Sequence, residues 1–255
     1  MASRADERTG HATEATAPSA TAQPARPIPL PRVGAAIRAA FSDYYFNSMR
    51  LVPANVVWGA GLIVVVLVGL VWPLGGLLLL PLLALPTAGI FRVAARIVRV
   101  APDADRQDIL WPYRHAAGST LLLGIALVAA TLILGTNLVV GIGQGQPVGW
   151  VLATLAGWGL VAIWSGAVVA WPLVVDPRRD GQPILPRFRI AGALLFVNPI
   201  RIGALAMAVA VTTVISTVLT AALLTVSVAF VALLACRMVY PAADRMAPMP
   251  GGERS

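Results

Sequence analysis

The chain contains no lysine, so all nineteen of its basic residues are arginine. Charged residues of either sign make up only 12% of the 255 positions. An ordinary soluble domain has about 25%. The formal net charge of +8 could suggest nucleic acid in a soluble protein. Here the arginines lie between long apolar runs, which favours the anionic headgroups of a lipid bilayer as their partner and argues against nucleic acid.

Nucleophilic and metal-binding side chains are also scarce. Cys236 is the only cysteine, which excludes an intrachain disulfide, and His11 and His115 are the only histidines. A metal site needs several ligands, and neither a G-x-S-x-G nucleophile motif nor a phosphate-binding glycine loop is present. The sequence therefore predicts a protein without a metal, a cofactor or catalytic residues.

Long uncharged runs predict an all-α membrane protein, because about 20 apolar residues in a helix span the ~30 Å hydrocarbon core. Pro53 can begin the first span, since proline costs nothing in the first turn of a helix. "WPLGG" and "GQGQP" are short turns typical of tightly connected helices. The four spans so defined are about 53–72, 76–91, 119–142 and 148–175.

The segment 199–240 carries charge only at Arg201 and Arg237. A single helix of this length would reach ~63 Å, twice the hydrocarbon thickness. We therefore predict two spans, with the turn near Ser216, Thr217 and Thr220. The expected fold is a polytopic bundle of six transmembrane helices arranged as three hairpins.

The flanking segments differ in character from the spans. Residues 1–32 and 241–255 have the composition of disordered tails, and the membrane domain is expected over 33–240. Between Val33 and Leu51, Ile37, Phe41, Tyr44, Tyr45 and Met49 fall near one side of a helix. This pattern predicts an N-terminal amphipathic helix lying at the membrane interface.

The arginines are distributed unevenly. Six lie in the N-terminal tail and interfacial helix, five in the loop after span two, five in the loop after span four and three in the C-terminal segment. The turns on the opposite side carry none. The positive-inside rule then places both termini and both long loops in the cytoplasm.

"LPTAGIFRVAARIVR" (85–99) ends the second span and places Arg92, Arg96 and Arg99 at helical spacing. Such a stripe next to an apolar helix predicts contact with lipid headgroups or with a partner protein.

Within the spans, polar and small residues are the candidates for specific contacts. Asn137 and Asn55 predict interhelical hydrogen bonds, because an amide in hydrocarbon needs a partner; Asn137 could alternatively line a polar path. Small residues recur along the fourth span and predict a helix-packing face, either within the chain or towards a second chain. These residues are Gly159, Ala162, Gly166 and Ala170.

Four stretches resemble the YesL-like family of bacterial integral membrane proteins, a group of unknown function. They are "VPANVVWGAGLIVVV", "LPTAGIFRVAARIVR", "DILWPYRHAAGSTLLLG" and "PRFRIAGALLFVNPIRIG", and the similarity covers roughly residues 36–240. The resemblance implies a compact six-helix protein of the bacterial cytoplasmic membrane. It also implies an accessory role beside carbohydrate importers with an ABC-type permease, and it supplies no catalytic residues.

Three functions remain open from the sequence. The first is a non-enzymatic scaffold or accessory protein of a transport system. The second is a transporter of small solutes or lipids, with a polar path around Asn137, Thr131 and Thr136. The third, a membrane enzyme using Asp103, Asp105 and Asp108 to hold a divalent cation, is the least favoured, because capping and pairing with Arg106 are commoner outcomes.

Overall fold

The computed structural model describes residues 30–99, 106–219 and 226–247, and over these ranges the chain forms helices joined by turns. The predicted all-α class is confirmed. The helices are α1 (Val33–Phe46), α2 (Ser48–Val71), α3 (Pro73–Leu79), α4 (Ala84–Arg99), α5 (Arg106–His115), α6 (Ala117–Gly143), α7 (Pro147–Val174), α8 (Ile184–Val197), α9 (Pro199–Val218) and α10 (Val228–Met246).

Five helical segments of the described chain are long and apolar enough to cross a membrane. They are Ser48–Val71, Pro73–Arg99, Ala117–Gln144, Pro147–Val174 and Pro199–Val218. The predicted sixth span corresponds to α10, which is not one of them and carries Arg237, Asp244 and Arg245. The predicted turn between the last two spans falls at the end of α9, and Thr220 lies outside the described residues.

The ends of the third and fourth spans agree with the prediction within about two residues, because α6 and α7 are bounded by the glycine-rich turn. The first span differs. Pro53 lies inside α2, which begins at Ser48, so it does not start the helix as predicted. At the other end of the chain, α10 extends to Met246, beyond the predicted boundary at residue 240.

Helix α4 continues the second span into the arginine stripe, as the sequence indicates. A 3₁₀ turn at Leu80–Leu83 precedes it, and Pro81 occupies this turn. Proline lacks the N–H that an α-helix would use there, which accounts for the local change of helix type.

Buried side chains concentrate at one end of the bundle, which we call the arginine end because it carries Arg92, Arg96 and Arg99. α10 is the most buried helix there and packs against α4, α1 and α7. By contrast, α6 packs mainly on α7 and leaves most of its surface outside the core. The structure therefore has a compact core at the arginine end and open, lipid-type surfaces on the helices that extend from it.

Helix α1 is attached to this core. Ala36 and Ala40 are buried. Asp43 forms an ion pair with Arg237 of α10, in which Asp43 Oδ2 lies 2.5 Å from Arg237 Nη2. The outer side of α1 keeps Phe41 and Tyr45 exposed, as an interfacial helix requires.

Helix α8 runs back along the end of α7. The guanidinium of Arg187 donates to the Val174 carbonyl at 2.5 Å, and Leu195 Cδ1 lies 3.7 Å from an ideal Cβ placed on Gly166. The two contacts lie eight residues apart on each helix in opposite directions, so α7 and α8 are antiparallel neighbours.

Candidate functional site: the ion-pair cluster at the arginine end

Nine charged side chains meet at the arginine end, and we call them the ion-pair cluster. The last helical turns of α4 supply three of the five arginines, and the segment after α7 supplies two of the four aspartates. The members are Arg92, Arg96, Arg99, Arg179, Arg187, Asp108, Asp176, Asp180 and Asp244.

Arg92 is the most enclosed member, with 1% of its surface exposed. Its Nη1 donates to the Val175 carbonyl at 3.0 Å and to Asp180 Oδ1 at 2.8 Å, while Nη2 donates to Asp180 Oδ2 at 2.5 Å. The guanidinium also lies 4.0 Å from the centre of the Trp111 ring. A two-pronged bond to carboxylate and stacking on an aromatic face both require arginine and not lysine.

Arg99 joins three parts of the chain. Its Nη2 donates to Asp176 Oδ2 at 2.7 Å and its Nη1 to Asp244 Oδ2 at 2.6 Å. Its guanidinium carbon sits 3.9 Å from the centre of the Tyr240 ring. The end of α4 is thereby tied both to the segment after α7 and to the end of α10.

Arg96 is the member of the stripe that reaches the surface, with 36% of its side chain exposed. Its Nε lies 3.0 Å from Asp108 Oδ1. Because Asp108 is itself buried in α5, this pair ties α5 to α4.

Arg187 satisfies carbonyl groups where α7 ends. In addition to Val174, it donates to the carbonyls of Arg179 and of Gln182, the latter at 3.0 Å. Burial lowers the pKa of the Arg187 guanidinium, and the nearby Asp180 and Asp176 oppose that shift. Its bond to the Val174 carbonyl places a cation at the negative end of the α7 dipole, and its bonds to the other two carbonyls hold the following loop.

The segment 176–182 is shaped by these contacts. Asp176 is fully buried, accepts from the Arg178 N–H at 3.1 Å and pairs with Arg179 at 3.3 Å. Gly181 has φ of +82°, a conformation that side chains rarely adopt. The loop after α7 is therefore a defined structure held by arginines from α4 and α8.

The cluster balances most of its own charge. Each of its four aspartates has a carboxylate oxygen within 3.0 Å of an arginine nitrogen, and the five arginines exceed the aspartates by one charge. Among the described residues no group of three or more His, Cys, Asp or Glu could hold a metal ion. Of the acidic trio proposed as a cation site, Asp108 pairs with Arg96, while Asp103 and Asp105 lie outside the described residues.

The placement of the arginine stripe corrects the sequence interpretation. Arg92 and Arg99 point into the cluster and are enclosed by protein, so neither is available to a lipid headgroup or a partner. Their predicted contact is replaced by an intramolecular one, because carboxylates from distant segments fold onto them. Arg96 alone of the three retains an exposed surface.

The two asparagines have different surroundings. Asn55 is fully buried, and its Oδ1 accepts from the Ala229 N–H at 3.0 Å in the first turn of α10. It makes the interhelical contact proposed for it, with an N–H that lies just after the π-helical residues Val226 and Ser227. Asn137 is exposed on α6, and its side chain makes no hydrogen bond within the described part of the chain.

Replacing Asn55 with leucine should lower the free energy of unfolding by about 1 kcal/mol, because the buried Ala229 N–H loses its hydrogen-bond acceptor. Asn137→Leu is the matched control, since the same exchange at an exposed site removes no contact within the chain. Thermal unfolding in detergent measures both. Equal melting temperatures would show that the Asn55 bond does not stabilise the fold.

The predicted small-residue stripe on α7 does not form one packing face. A Cβ on Gly159 would lie 3.0 Å from Leu134 of α6, whereas Gly166 faces Leu195 of α8. Ala170 is buried in the core and Ala162 is exposed. The predicted stripe therefore contacts α6 at Gly159 and α8 at Gly166. Ala162 contacts neither of these helices.

The closest approach of α6 and α7 lies near their connecting turn and was missed by the sequence analysis. A Cβ on Gly141 would lie 2.6 Å from the Gly149 carbonyl oxygen, and one on Gly149 would lie 2.5 Å from the Gly141 carbonyl oxygen. The sequence does contain a signal for this close approach, because Gly141 and Gly149 flank the turn on its two sides. The aspartates of the cluster were also missed; a signal for them is the placement of Asp176 and Asp180 directly after an apolar run.

Comparison of the chain with family models gives no match. Comparison with curated proteins and with solved structures likewise gives no match. The geometry above is therefore the basis for a functional proposal.

Proposed function

We propose that this helical membrane protein is a non-enzymatic scaffold or accessory subunit of a transport system. The observation that carries the proposal is the ion-pair cluster, which joins α4, α5, the loop after α7, α8 and α10 into one block. A block held by buried ion pairs presents a fixed surface, which suits docking better than a cycle of opening and closing. The resemblance to the YesL-like family favours carbohydrate uptake and an ABC-type permease as partner.

A second candidate, a transporter with a polar path at Asn137, has less support. Asn137 and Thr136 are exposed on the outside of α6, where they face away from the core. A solute path through a bundle needs polar groups that line an interior, since uncompensated polar contacts in hydrocarbon cost several kcal/mol.

The arginines available to partners are those outside the cluster. Arg114, Arg178 and Arg189 are exposed, on α5, the loop after α7 and α8. Each would contribute about 1 kcal/mol at an anionic surface. We propose that this surface faces the cytoplasm of a bacterial cell, with both termini on the same side, and contacts anionic headgroups and the partner subunit.

This orientation can be tested by cysteine labelling without first removing the native thiol. Cys236 is fully buried, and burial raises the pKa of its thiol to about 12, so it should not react in the folded protein. Cysteines replacing Gln144 or Gln146 should label with an impermeant maleimide added outside cells. A cysteine replacing Gln182 should label only after permeabilisation, and labelling of that position from outside would overturn the orientation.

The role itself can be tested by combining partner capture with a reconstitution assay. Arg114→Glu with Arg189→Glu should leave the folded protein intact, because both side chains are exposed, while the permease no longer co-purifies and uptake in cells falls. Asn137→Leu should retain both. Solute movement by the purified chain alone in liposomes, abolished by Asn137→Leu, would replace the scaffold with the transporter.

A further inference from the structure

Helix α8 has an inner side that packs against the protein and an outer side that is open. The buried inner residues are Arg187, Ala191 and Leu194. On the outer side, four residues fall within about 60° of one another at 100° per residue, and we call them the outer strip of α8. They are Leu185, Arg189, Gly192 and Phe196. Phe196 is 87% exposed and Leu185 is 59% exposed, so no other part of the described chain covers this strip.

The packing of α8 on α7 gives the depth of Phe196. Leu195 of α8 lies against Gly166 of α7. Gly166 is about 28 Å along α7 from Pro147, where that helix begins. This length is close to the ~30 Å thickness of the hydrocarbon core. Leu195, and Phe196 next to it, are therefore level with the edge of the hydrocarbon core at the arginine end.

A second contact between the same helices gives the depth of Arg189. Val174, whose carbonyl accepts from Arg187, is about 40 Å along α7 from Pro147, which is about 10 Å beyond the core. Arg189 follows Arg187 by half a helical turn and is nearer the membrane by about 3 Å. The headgroup layer is roughly 5–8 Å thick on each side of the core. Arg189 therefore lies at the depth of the lipid headgroups.

Arg189 is an exposed cation beside an open apolar surface. Its side chain makes no hydrogen bond or ion pair within the described part of the chain. A Cβ placed on Gly192, between Arg189 and Phe196, would meet nothing within 4 Å. Beyond Phe196, Ile200 in the first turn of α9 is 87% exposed. Because α9 is long and apolar enough to cross a membrane, the open surface leads from a free guanidinium into the region of acyl chains.

We propose that the outer strip of α8 binds one anionic phospholipid, whose phosphate contacts Arg189 and whose acyl chain lies on Phe196 and Ile200. The guanidinium suits this role, because its N–H groups match phosphate oxygens in two parallel hydrogen bonds. The phenylalanine ring lies where the acyl chain of that lipid leaves the headgroup layer. The site deepens the proposed function, and it rests on that function only in assigning the arginine end to an anionic leaflet.

Native mass spectrometry of the purified protein, titrated with dioleoyl phosphatidylglycerol, measures the binding. Arg189→Gln should weaken the first bound phosphatidylglycerol by about fivefold, the loss expected for one arginine at an anionic headgroup. Phe196→Ser should also weaken it, because the acyl chain loses apolar contact. Both side chains are exposed, so the melting temperature without lipid should remain that of the parent protein. Unchanged affinity in Arg189→Gln would contradict the proposal.

Three controls separate this site from its alternatives. Arg245→Gln removes the same charge from an exposed position near the end of α10 and should leave the affinity unchanged. An equal loss in both arginine variants would show a general attraction of charge and no site. Dioleoyl phosphatidylcholine should bind more weakly, because its choline cation opposes Arg189, and equal affinity for the two lipids would overturn the proposal.

Glycerol phosphate, the soluble part of the headgroup, should not displace phosphatidylglycerol, because it has no acyl chain to contact Phe196. Displacement at equal concentration would assign Arg189 to a soluble phosphate and would overturn the lipid site. The titration contains no permease. Its failure would therefore leave the co-purification result intact, and a failed co-purification would leave the lipid site intact.

Discussion

Arg92→Met is expected to lower the free energy of unfolding by about 3 kcal/mol, because it leaves the buried Val175 carbonyl without a donor, whereas the Asp180 carboxylate, which is 38% exposed, can be rehydrated. The substitution leaves the Val175 carbonyl without its donor and removes the cation from Asp180 and from the Trp111 ring. The loss should be visible as a large fall in melting temperature in detergent. The loop after α7 should also become sensitive to protease, because Arg92 holds it against α4.

Arg114→Met is the appropriate control for Arg92→Met. Arg114 is exposed on α5, and an exposed charge contributes little to stability. The control should therefore unfold like the parent protein. If Arg92→Met had the same melting temperature as Arg114→Met, the contacts of Arg92 would contribute nothing measurable to stability.

Gly124→Leu is expected to destabilise the protein by roughly 3 kcal/mol or more, at the upper end of the cost of overpacking. A Cβ at this position would lie 2.7 Å from the Ala84 Cβ and 2.9 Å from the Pro81 carbonyl oxygen. The obstacle includes backbone, so α6 would have to move away from the 3₁₀ turn and α4. Thermal unfolding and the yield of monodisperse protein measure this effect.

Gly118→Leu carries the same change on the same helix without an obstacle. It should be neutral or slightly stabilising, because leucine has a higher helix propensity than glycine. Equal loss in the two variants would mean that α6 tolerates no larger residue anywhere, and that the close approach at Gly124 is not the cause.

The apolar helices were predictable because length and absence of charge are local properties of the sequence. α6 ends and α7 begins where glycine, glutamine and proline replace the apolar run. The start of α2 was harder to predict, because Pro53 resembles a first-turn proline whereas the helix begins five residues earlier. Pro53 is the sixth residue of α2, so it removes the hydrogen bond that an N–H at this position would make to the Met49 carbonyl, a cost that the surrounding packing must offset.

The role of the arginine stripe could not be predicted from the stripe alone. Spacing placed Arg92, Arg96 and Arg99 on one side of α4, which is correct, but their carboxylates come from far along the chain. Asp180 lies 88 residues from Arg92 and Asp244 lies 145 residues from Arg99. Without knowledge of which segments meet, an arginine near a membrane is indistinguishable from one that binds a headgroup.

The last helix illustrates the same limit. Its apolar composition predicts a sixth span, which stays a prediction, and over its described residues α10 packs against α1, α4 and α7 at the arginine end. A helix buried among other helices and a helix exposed to lipid have the same apolar composition. The sequence of such a helix therefore does not reveal which of the two surrounds it. The contacts of α10 with the rest of the chain, such as the ion pairs of Arg237 with Asp43 and of Asp244 with Arg99, become visible only in the folded structure.

The position of Asp244 has a consequence for synthesis of the protein. Arg99 and Arg179 emerge from the ribosome long before the carboxylate that completes their pairing. Until α10 is made, the growing chain has an excess of positive charge where α4 and α7 end. During that interval the two guanidiniums share the single carboxylate of Asp176. Arrival of the final helix supplies the second carboxylate, so its docking completes the cluster and fixes the ends of α4 and α7.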